Sequence, residues 1–343
     1  MRAIVYDGPG KLSVREVPKP NVEPLELLVK VKAAGICGSD LELARGLRPD
    51  VKPPRIPGHE ISGEVAEHGV QVTRFKVGDR VVVEPIISCG KCRNCAVGRY
   101  NICQDLKFMG VHTDGAFAEY LAVPEQRVYK IPRNLPYDEA AVLEPTAVGV
   151  HIVSRASISL GDIVVILGAG PIALQIAQVA KKRGAGYIIM TDILDYRLEL
   201  AEKLAADRVV NVGREDPLQV VKQETDGEGA DVVIEAVGRS ETIAQAMDLV
   251  RRGGTILVGG LNVERFVSEP PTFWMNLLYK EVTVQSSRSY AAGNWSAAIR
   301  LASRGEINLK ALVTHRFPLE KVSRAFEVAG GKLENAVKVL FMP

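Results

Sequence analysis

The stretch Ile163–Asp192, IVVILGAGPIALQIAQVAKKRGAGYIIMTD, decides how the chain is read. The aliphatic run Ile163–Leu167 has the composition of a buried parallel strand. It breaks at Gly168-Ala169-Gly170, and a helical pattern starts at Pro171, in the first turn, where a missing N–H is least harmful. Apolar positions Ile172, Leu174, Ile176 and Val179 continue towards Gly184 and Gly186, and a second aliphatic run, Tyr187–Met190, ends on Thr191-Asp192. Strand, glycine turn, helix, strand and acid is the order of a dinucleotide-binding βαβ unit. Gly168 allows the tight turn and Gly170 lets the backbone approach a pyrophosphate. Ala173 is small enough for close helix–strand packing, and the helix N-terminus offers free N–H groups to phosphate. Asp192, 24 residues after Gly168, is placed to accept hydrogen bonds from an adenosine ribose. Its charge would repel a 2′-phosphate, so NAD is expected rather than NADP.

The rest of the chain extends this α/β pattern. After Asp192, helices are expected at Leu194–Ala206, Asp216–Glu224 and Ser240–Arg251, and strands at Arg208–Val212, Val232–Glu235, Thr255–Val258 and Glu281–Gln285. About six strands with interleaved helices make a doubly wound sheet. Before this block the composition is β-rich, with strands expected at Ala3–Tyr6, Leu12–Val17 and Leu27–Ala33 and again between Asp114 and Ile131. After it come two amphipathic helices, Asn294–Arg304 and Leu319–Gly330, and a closing strand, Ala336–Phe341. The expected organisation is a β-rich domain at 1–147 and 288–343, interrupted by a nucleotide-binding domain at 148–287. A length of 343 residues agrees with two domains, because single cores stop growing near roughly 250–300 residues.

Net charge of +2 with interspersed signs gives no basic stripe, so nucleic acid is not an expected partner. No apolar run is long enough to span a membrane and the first residues do not read as a signal peptide, so a cytoplasmic protein without membrane association is expected. Four of the five cysteines fall between Cys89 and Cys103, spaced C-x2-C-x2-C-x7-C with Cys92 and Cys95 between them. Such crowding in a cytosolic chain points to metal rather than to disulfides. Four thiolates can close a tetrahedron around structural zinc; four free thiols and an iron–sulfur cluster are the competing readings, the cluster being disfavoured by its usual spacings. Elsewhere Cys37 and the adjacent His59 and Glu60 offer a thiolate, an imidazole and a carboxylate, the donor types of a catalytic zinc site. By themselves, a single cysteine and a distant histidine read equally well as structural.

Taken together, GICGSD, PGHEISGEV, VGDRV, the cysteine lobe, DGAFAEY, LEP and LGAGPIA resemble the zinc-dependent medium-chain dehydrogenases, the alcohol, polyol and threonine dehydrogenase family, over essentially the whole chain. The resemblance implies a β-rich GroES-like catalytic domain with a doubly wound Rossmann domain, two zinc ions per chain and NAD. Cys37, His59, Glu60 and Glu144 match catalytic zinc positions, the two glutamates binding directly or through water. Asp40 matches the carboxylate that orients the ligand histidine, and Ser39 the hydroxyl that takes the substrate's proton. Cys89, Cys92, Cys95 and Cys103 match structural zinc ligands. On the cofactor side Gly168, Gly170, Pro171 and Ile172 fall in the pyrophosphate region, Asp192 and Arg197 beside the adenosine, and Val258, Gly259, Gly260, Ser286 and Arg288 near the nicotinamide. Glu42 departs from the pattern: many relatives carry a histidine there that passes the proton to solvent. A glutamate resembles the sugar-oxidising branch, where it bonds a substrate hydroxyl. Arg288 and Tyr290 lie near a substrate-binding Arg-Tyr pair of the polyol enzymes, separated here by Ser289.

The expected activity is therefore oxidation of a secondary alcohol, a polyol or sugar before a simple alcohol, with NAD. L-threonine 3-dehydrogenase is the alternative within the class, and a non-catalytic zinc-stabilised NAD-binding protein the alternative outside it. The family's dimers or tetramers imply a homo-oligomer, with Glu281–Gln285 as the candidate edge strand.

Overall fold

The computed structural model describes residues 1–260 and 271–343. They form two compact units, Met1–Glu144 with Ala291–Pro343, and Pro145–Tyr290.

The first unit opens with the hairpin β1 (Arg2–Gly8) and β2 (Lys11–Glu16), followed by β3 (Glu26–Gly35) and the short helix α1 (Gly38–Ala44). Then come β4 (Glu60–His68), β5 (Arg80–Val83), β6 (Ile86–Ile87), helix α2 (Arg93–Ala96), β7 (Lys107–Phe108), β8 (Tyr120–Pro124), β9 (Val128–Lys130) and helix α3 (Tyr137–Ala141). In β3 the segment ELLVKVKAAG turns Leu27, Val29, Val31 and Ala33 to the interior and exposes Lys30, and β4, β8 and the C-terminal strand all pair with it. Among the elements of this unit that the sequence reading left unassigned, α1 begins directly after Cys37, and His59–Glu60 lead into a nine-residue strand. α1 is too short to show a period, and β4 is buried on both faces at its start, so alternation is absent.

The second unit starts in helix α4 (Leu143–Arg155), inside which the division between units falls. It continues with β10 (Ile163–Leu167), α5 (Pro171–Arg183), β11 (Tyr187–Asp192), α6 (Asp195–Leu204), β12 (Arg208–Asn211), α7 (Pro217–Glu224), β13 (Ala230–Glu235), α8 (Ser240–Leu249), β14 (Val250–Val258), α9 (Pro271–Tyr279) and β15 (Thr283–Ser286). The six strands among the described residues are parallel, in the order β12-β11-β10-β13-β14-β15, the doubly wound arrangement expected. α8 ends at Leu249 rather than Arg251, because Val250 is already paired with Ala230 and buried. In α9, Phe273 and Leu277 pack on the core while Trp274, Met275, Leu278 and Tyr279 are exposed. Among the described residues no helix is long and apolar enough to cross a membrane.

The chain then returns to the first unit with α10 (Asn294–Ser303), β16 (Val313–Phe317), α11 (Val322–Gly331) and β17 (Lys338–Phe341). β17 lies between β16 and β3, parallel to the former and antiparallel to the latter, within the sheet β16-β17-β3-β4-β5-β9. Its four residues are all buried.

Candidate active site and four-cysteine lobe

Cys37 stands in extended conformation immediately before α1, and its N–H donates to Asp40 Oδ2 at 2.9 Å. The carboxylate that caps the helix thereby fixes the cysteine. Asp40 is 2% exposed, and its other oxygen lies 3.6 Å from His59 Nδ1. The imidazole is further oriented by Phe108, edge-on with centroids 5.2 Å apart. One donor atom from each of Cys37, His59 and Glu60 falls in a group whose members all lie within 4.8 Å of one another. The group sits where β3, α1 and β4 meet. Gly35 makes room for it, since a Cβ there would lie 1.9 Å from Glu60 Oε2.

Glu60 is fully buried and its oxygens differ. Oε1 accepts from Lys338 Nζ at 2.7 Å, whereas Oε2 is buried with no hydrogen-bond partner among the described residues. Lys338 also donates to the Ile36 carbonyl at 3.2 Å. Burial works against its charge, but Glu60 and Cys37 outweigh that and hold its pKa above the usual lysine value. His59 shows the same balance. Desolvation opposes its protonation, yet Asp40, Cys37 and Glu144 push the imidazole up to about 10. The pocket's field favours a cation. Glu144, in the first turn of α4 and 5% exposed, acts on His59 through charge but does not belong to the tight group of three.

A thiolate, an imidazole and an orphaned carboxylate oxygen are the donors zinc accepts, and the field suits a dication, so the residues fit that metal. Ser39 and Glu42 lie one helical turn apart on α1 and are outside the tight group. Glu42 Oε2 is buried and unpartnered among the described residues. Burial raises its carboxyl pKa, with Arg48 and Arg45 opposing the shift.

The lobe cysteines fit a closed zinc site. Sγ–Sγ separations are 3.5 Å for Cys92–Cys95, 3.9 Å for Cys92–Cys103 and 4.0 Å for Cys89–Cys95. A tetrahedron with zinc–sulfur bonds of about 2.3 Å has edges of about 3.8 Å, which these values bracket. All five cysteines are free. The N–H groups of Cys89 and Cys92 point at Cys103 Sγ (3.3 Å) and Cys89 Sγ (3.4 Å). Backbone hydrogen bonding, aided by Cys95, brings the Cys92 thiol down to about 6, while burial pushes that of Cys95 up to about 11.

Arg127 ties the lobe to the sheet. It donates to Ser88 Oγ at 2.6 Å and to the buried Glu84 at 3.4 Å, and its guanidinium lies 4.9 Å from the Tyr100 ring centroid. Tyr129 donates to the other Glu84 oxygen at 3.0 Å. Arg127→Ala would leave Glu84 buried with only the neutral donors Tyr129 and Tyr100. We expect a loss of about 1–3 kcal/mol, read as a lower unfolding midpoint, together with faster release of lobe zinc to a chelator. An unchanged release rate would show that Arg127 does not secure the lobe.

In the second unit the expected cofactor positions share one edge of the sheet. Thr191, Leu167, Glu235, Val258 and Ser286 are successive register partners across β11, β10, β13, β14 and β15, at the strands' carboxyl ends. Gly168 has φ +97° and the extended Gly170 precedes Pro171 at the start of α5, a phosphate cradle that a side chain would fill. These residues fit a dinucleotide. Arg197 Nη1 lies 3.8 Å from where a Cβ on Gly170 would stand. Asp192 does more than the sequence reading assigned it. Oδ2 accepts from the Ala169 N–H at 2.8 Å, and Oδ1 accepts from those of Ile193 and Leu194 at 2.7 and 3.0 Å. It thus ties the glycine turn to the start of α6, with one lone-pair site, on Oδ2, left for a ribose. The N–H groups of Gly259 and Gly260 are directed at the Glu235 carbonyl, and the Ser286 carbonyl accepts from Arg155. Tyr290 is fully buried, and Ser289, at φ +49°, turns the chain between it and Arg288.

Two residues near these sites were missed. Lys338 was detectable as the one charge in the apolar run AVKVLF, and Glu235 as an acid ending a buried strand.

Residues 23–133 match the alcohol dehydrogenase GroES-like domain and residues 171–304 the zinc-binding dehydrogenase family. A sorbitol dehydrogenase of Bacillus subtilis (strain 168) is 37% identical, the match covering 100% of this chain and 97% of that protein. An L-threonine 3-dehydrogenase of Caldanaerobacter subterraneus is 38% identical, with 92% and 90% covered. A zinc-binding dehydrogenase of Sinorhizobium meliloti 1021 solved with NADP has a TM-score of 0.91 at 35% identity, covering 100% of this chain and 99% of that one. An alcohol dehydrogenase of Escherichia coli CFT073 solved with NADH has a TM-score of 0.92 at 33% identity, with the same coverage.

Proposed function

The chain belongs to the zinc-dependent medium-chain dehydrogenases, and from that premise we propose that it oxidises a secondary alcohol of a polyol or sugar with NAD. The observation that carries the reading is the buried group of Cys37, His59 and Glu60, with one carboxylate oxygen unpartnered in a field that favours a cation. Cys37, His59 and Glu60, with Glu144 at the margin, would hold zinc, which would supply Lewis acidity towards the alcohol, and bound NAD would supply the hydride acceptor. Asp40 keeps the imidazole and Cys37 in place, Ser39 takes the alcohol proton, and Glu42 bonds a further substrate hydroxyl. Cys89, Cys92, Cys95 and Cys103 hold the second, structural zinc. Gly168, Gly170 and the start of α5 receive the pyrophosphate, Asp192 and Arg197 the adenosine. Val258–Gly260 and Ser286–Arg288 lie on the nicotinamide side. Residues 1–147 with 288–343 form the catalytic domain in this reading, and 148–287 the NAD-binding domain.

The test is NAD reduction by metal-quantified protein against polyols, aldoses, simple secondary alcohols and L-threonine. Turnover of a polyol or sugar without threonine is the expected result. L-threonine 3-dehydrogenase is the second reading, favoured by the 38% identical relative, and turnover of threonine alone would establish it. In the same assay NAD should exceed NADP in kcat/KM by about a hundredfold, because the Asp192 carboxylate would face the 2′-phosphate. Equal use of the two cofactors would refute that assignment.

Homo-oligomerisation is part of the proposal. β15 ends the sheet among the described residues with Val284 45% exposed, and the outer face of α9 carries Trp274 and Leu278, 60% and 72% exposed. An apolar helix face next to an open strand edge suits a second copy. Val284→Lys should shift the light-scattering mass to the monomer; an unchanged mass would move the interface elsewhere. Five unpaired thiols support a reducing, cytoplasmic location.

A further inference from the structure

A pocket of about 360 Å³ opens in the first unit between the loop joining β4 to β5, strand β9 and helix α10. Its walls include Arg74, Phe75, Tyr129, Lys130, Ile299 and Arg300, none of which belongs to either metal group or to the cofactor edge. The volume is that of a small-molecule site. Three of the six are cations, and each of the three elements contributes one.

The walls are set without a ligand. Tyr129 stacks on the buried Trp295, with ring centroids 5.6 Å apart and planes 6° from parallel, and its hydroxyl donates to Glu84 at 3.0 Å. Phe75 is buried, and two of the cations lie over its ring. The Arg74 guanidinium is 5.3 Å and Lys130 Nζ 5.4 Å from the centroid. Attraction to the ring face steadies two long side chains that water alone would leave free to swing.

The charges in this space do not balance. Lys130 pairs with Asp79 at 2.7 Å. Among the described residues, neither Arg74 nor Arg300 has a carboxylate at ion-pair distance, and the hydrogen bond from Arg74 Nη1 to the Glu125 carbonyl is long, 3.5 Å. Three cations against one paired acid leave two positive charges facing the same volume. Like charges repel there, and an anion placed among them reverses the sign of the interaction. The count also selects the anion. A carboxylate brings one negative charge. A phosphate monoester above its second pKa, near 6, brings about two, with three oxygens to meet two guanidinium forks and an ammonium. The apolar sides of Tyr129 and Ile299 suit the carbon attached to such a phosphate.

We propose that this pocket binds a small phosphate monoester, its dianion held by Arg74, Lys130 and Arg300 and its carbon skeleton laid against Tyr129 and Ile299.

The test titrates phenyl phosphate into the zinc-loaded full chain at pH 8, by calorimetry, with NADH present to fill the glycine turn after β10. One site per chain is expected, with a Kd of about 1 mM or tighter. Arg74→Gln and Arg300→Gln should each weaken it by about tenfold, the loss of one charge-assisted contact, and the double variant should show no binding. Both arginines are exposed, and each substitution removes a repelling charge, so the unfolding midpoint of the ligand-free chain should not fall. Benzoate, with the same ring and a single charge, should bind at least about tenfold more weakly than phenyl phosphate. An unmodified chain that does not bind phenyl phosphate, or a double variant that still binds it, overturns the proposal. A lowered midpoint together with lost binding would mark the arginines as structural and overturn it as well. Benzoate binding as tight as that of phenyl phosphate would overturn the assignment to a phosphate.

Discussion

Cys37→Ala is expected to lower turnover by about a thousandfold or more while the chain keeps its fold, its lobe zinc and its affinity for NADH. Several kcal/mol of charge stabilisation are lost with a Lewis acid, and about 1.4 kcal/mol corresponds to each factor of ten. Cys37 supplies the only thiolate of the group it forms with His59 and Glu60. The side chain itself supports little of the core, since the neighbouring sheet is held by β3, β4 and β17 through backbone pairing. Metal analysis should find one zinc per chain in place of two, and NADH titration should be unchanged. A variant that keeps more than about a tenth of its kcat would remove Cys37 from the metal site, because loss of a Lewis acid is worth far more than a tenfold effect.

Lys338→Met is expected to have the largest effect on stability, about 3–5 kcal/mol. Lysine and methionine are close in length, so little volume is lost. What is lost is the counter-charge of a glutamate that is fully buried, together with the donor 2.7 Å from its Oε1. Removing one partner of a buried pair strands the other, whereas removing both does not. The double variant Glu60→Gln/Lys338→Met should therefore be more stable than Lys338→Met alone. Urea unfolding of the metal-free chains would measure both. A single variant within about 1 kcal/mol of the original would mean that water reaches Glu60 and that the pair is no more than a surface bridge.

What the sequence revealed followed from local signals. Ile163–Asp192 contains its whole βαβ unit within thirty residues, and the lobe cysteines lie within fifteen, so spacing alone defines them. Cys37 and His59 were legible through a resemblance, not through spacing, because a loop of arbitrary path joins them. Lys338 escaped notice because its partner lies 278 residues away, and no local pattern encodes such a pair. Glu235 escaped because two of the three donors to its Oε1 are backbone N–H groups, which every sequence has. Asp192 was correctly singled out as an acid at a strand end, but its hold on the Ala169 N–H is a product of turn geometry. The end of α8 was overrun by two residues, since the arginines after Val250 continue a helical pattern that pairing with Ala230 overrides.

The position of β17 has a consequence for how the molecule comes into being. During synthesis the ribosome delivers β3, α1 and β4 early, and the strand that completes their sheet only after the intervening unit has emerged. Until then β3 lacks the strand on that side, the Ile36 N–H lacks the Val339 carbonyl, and Glu60 lacks its lysine. The nucleotide unit, contiguous in sequence, has all its strands before that moment and is free to fold while the nascent chain is still tethered. The metal pocket therefore matures after the nucleotide unit has emerged, and buried Glu60 awaits Lys338, which follows that whole unit in the chain. Stalling translation after Gly331 should yield a nascent chain with a protease-resistant nucleotide unit and an open, labile zinc unit.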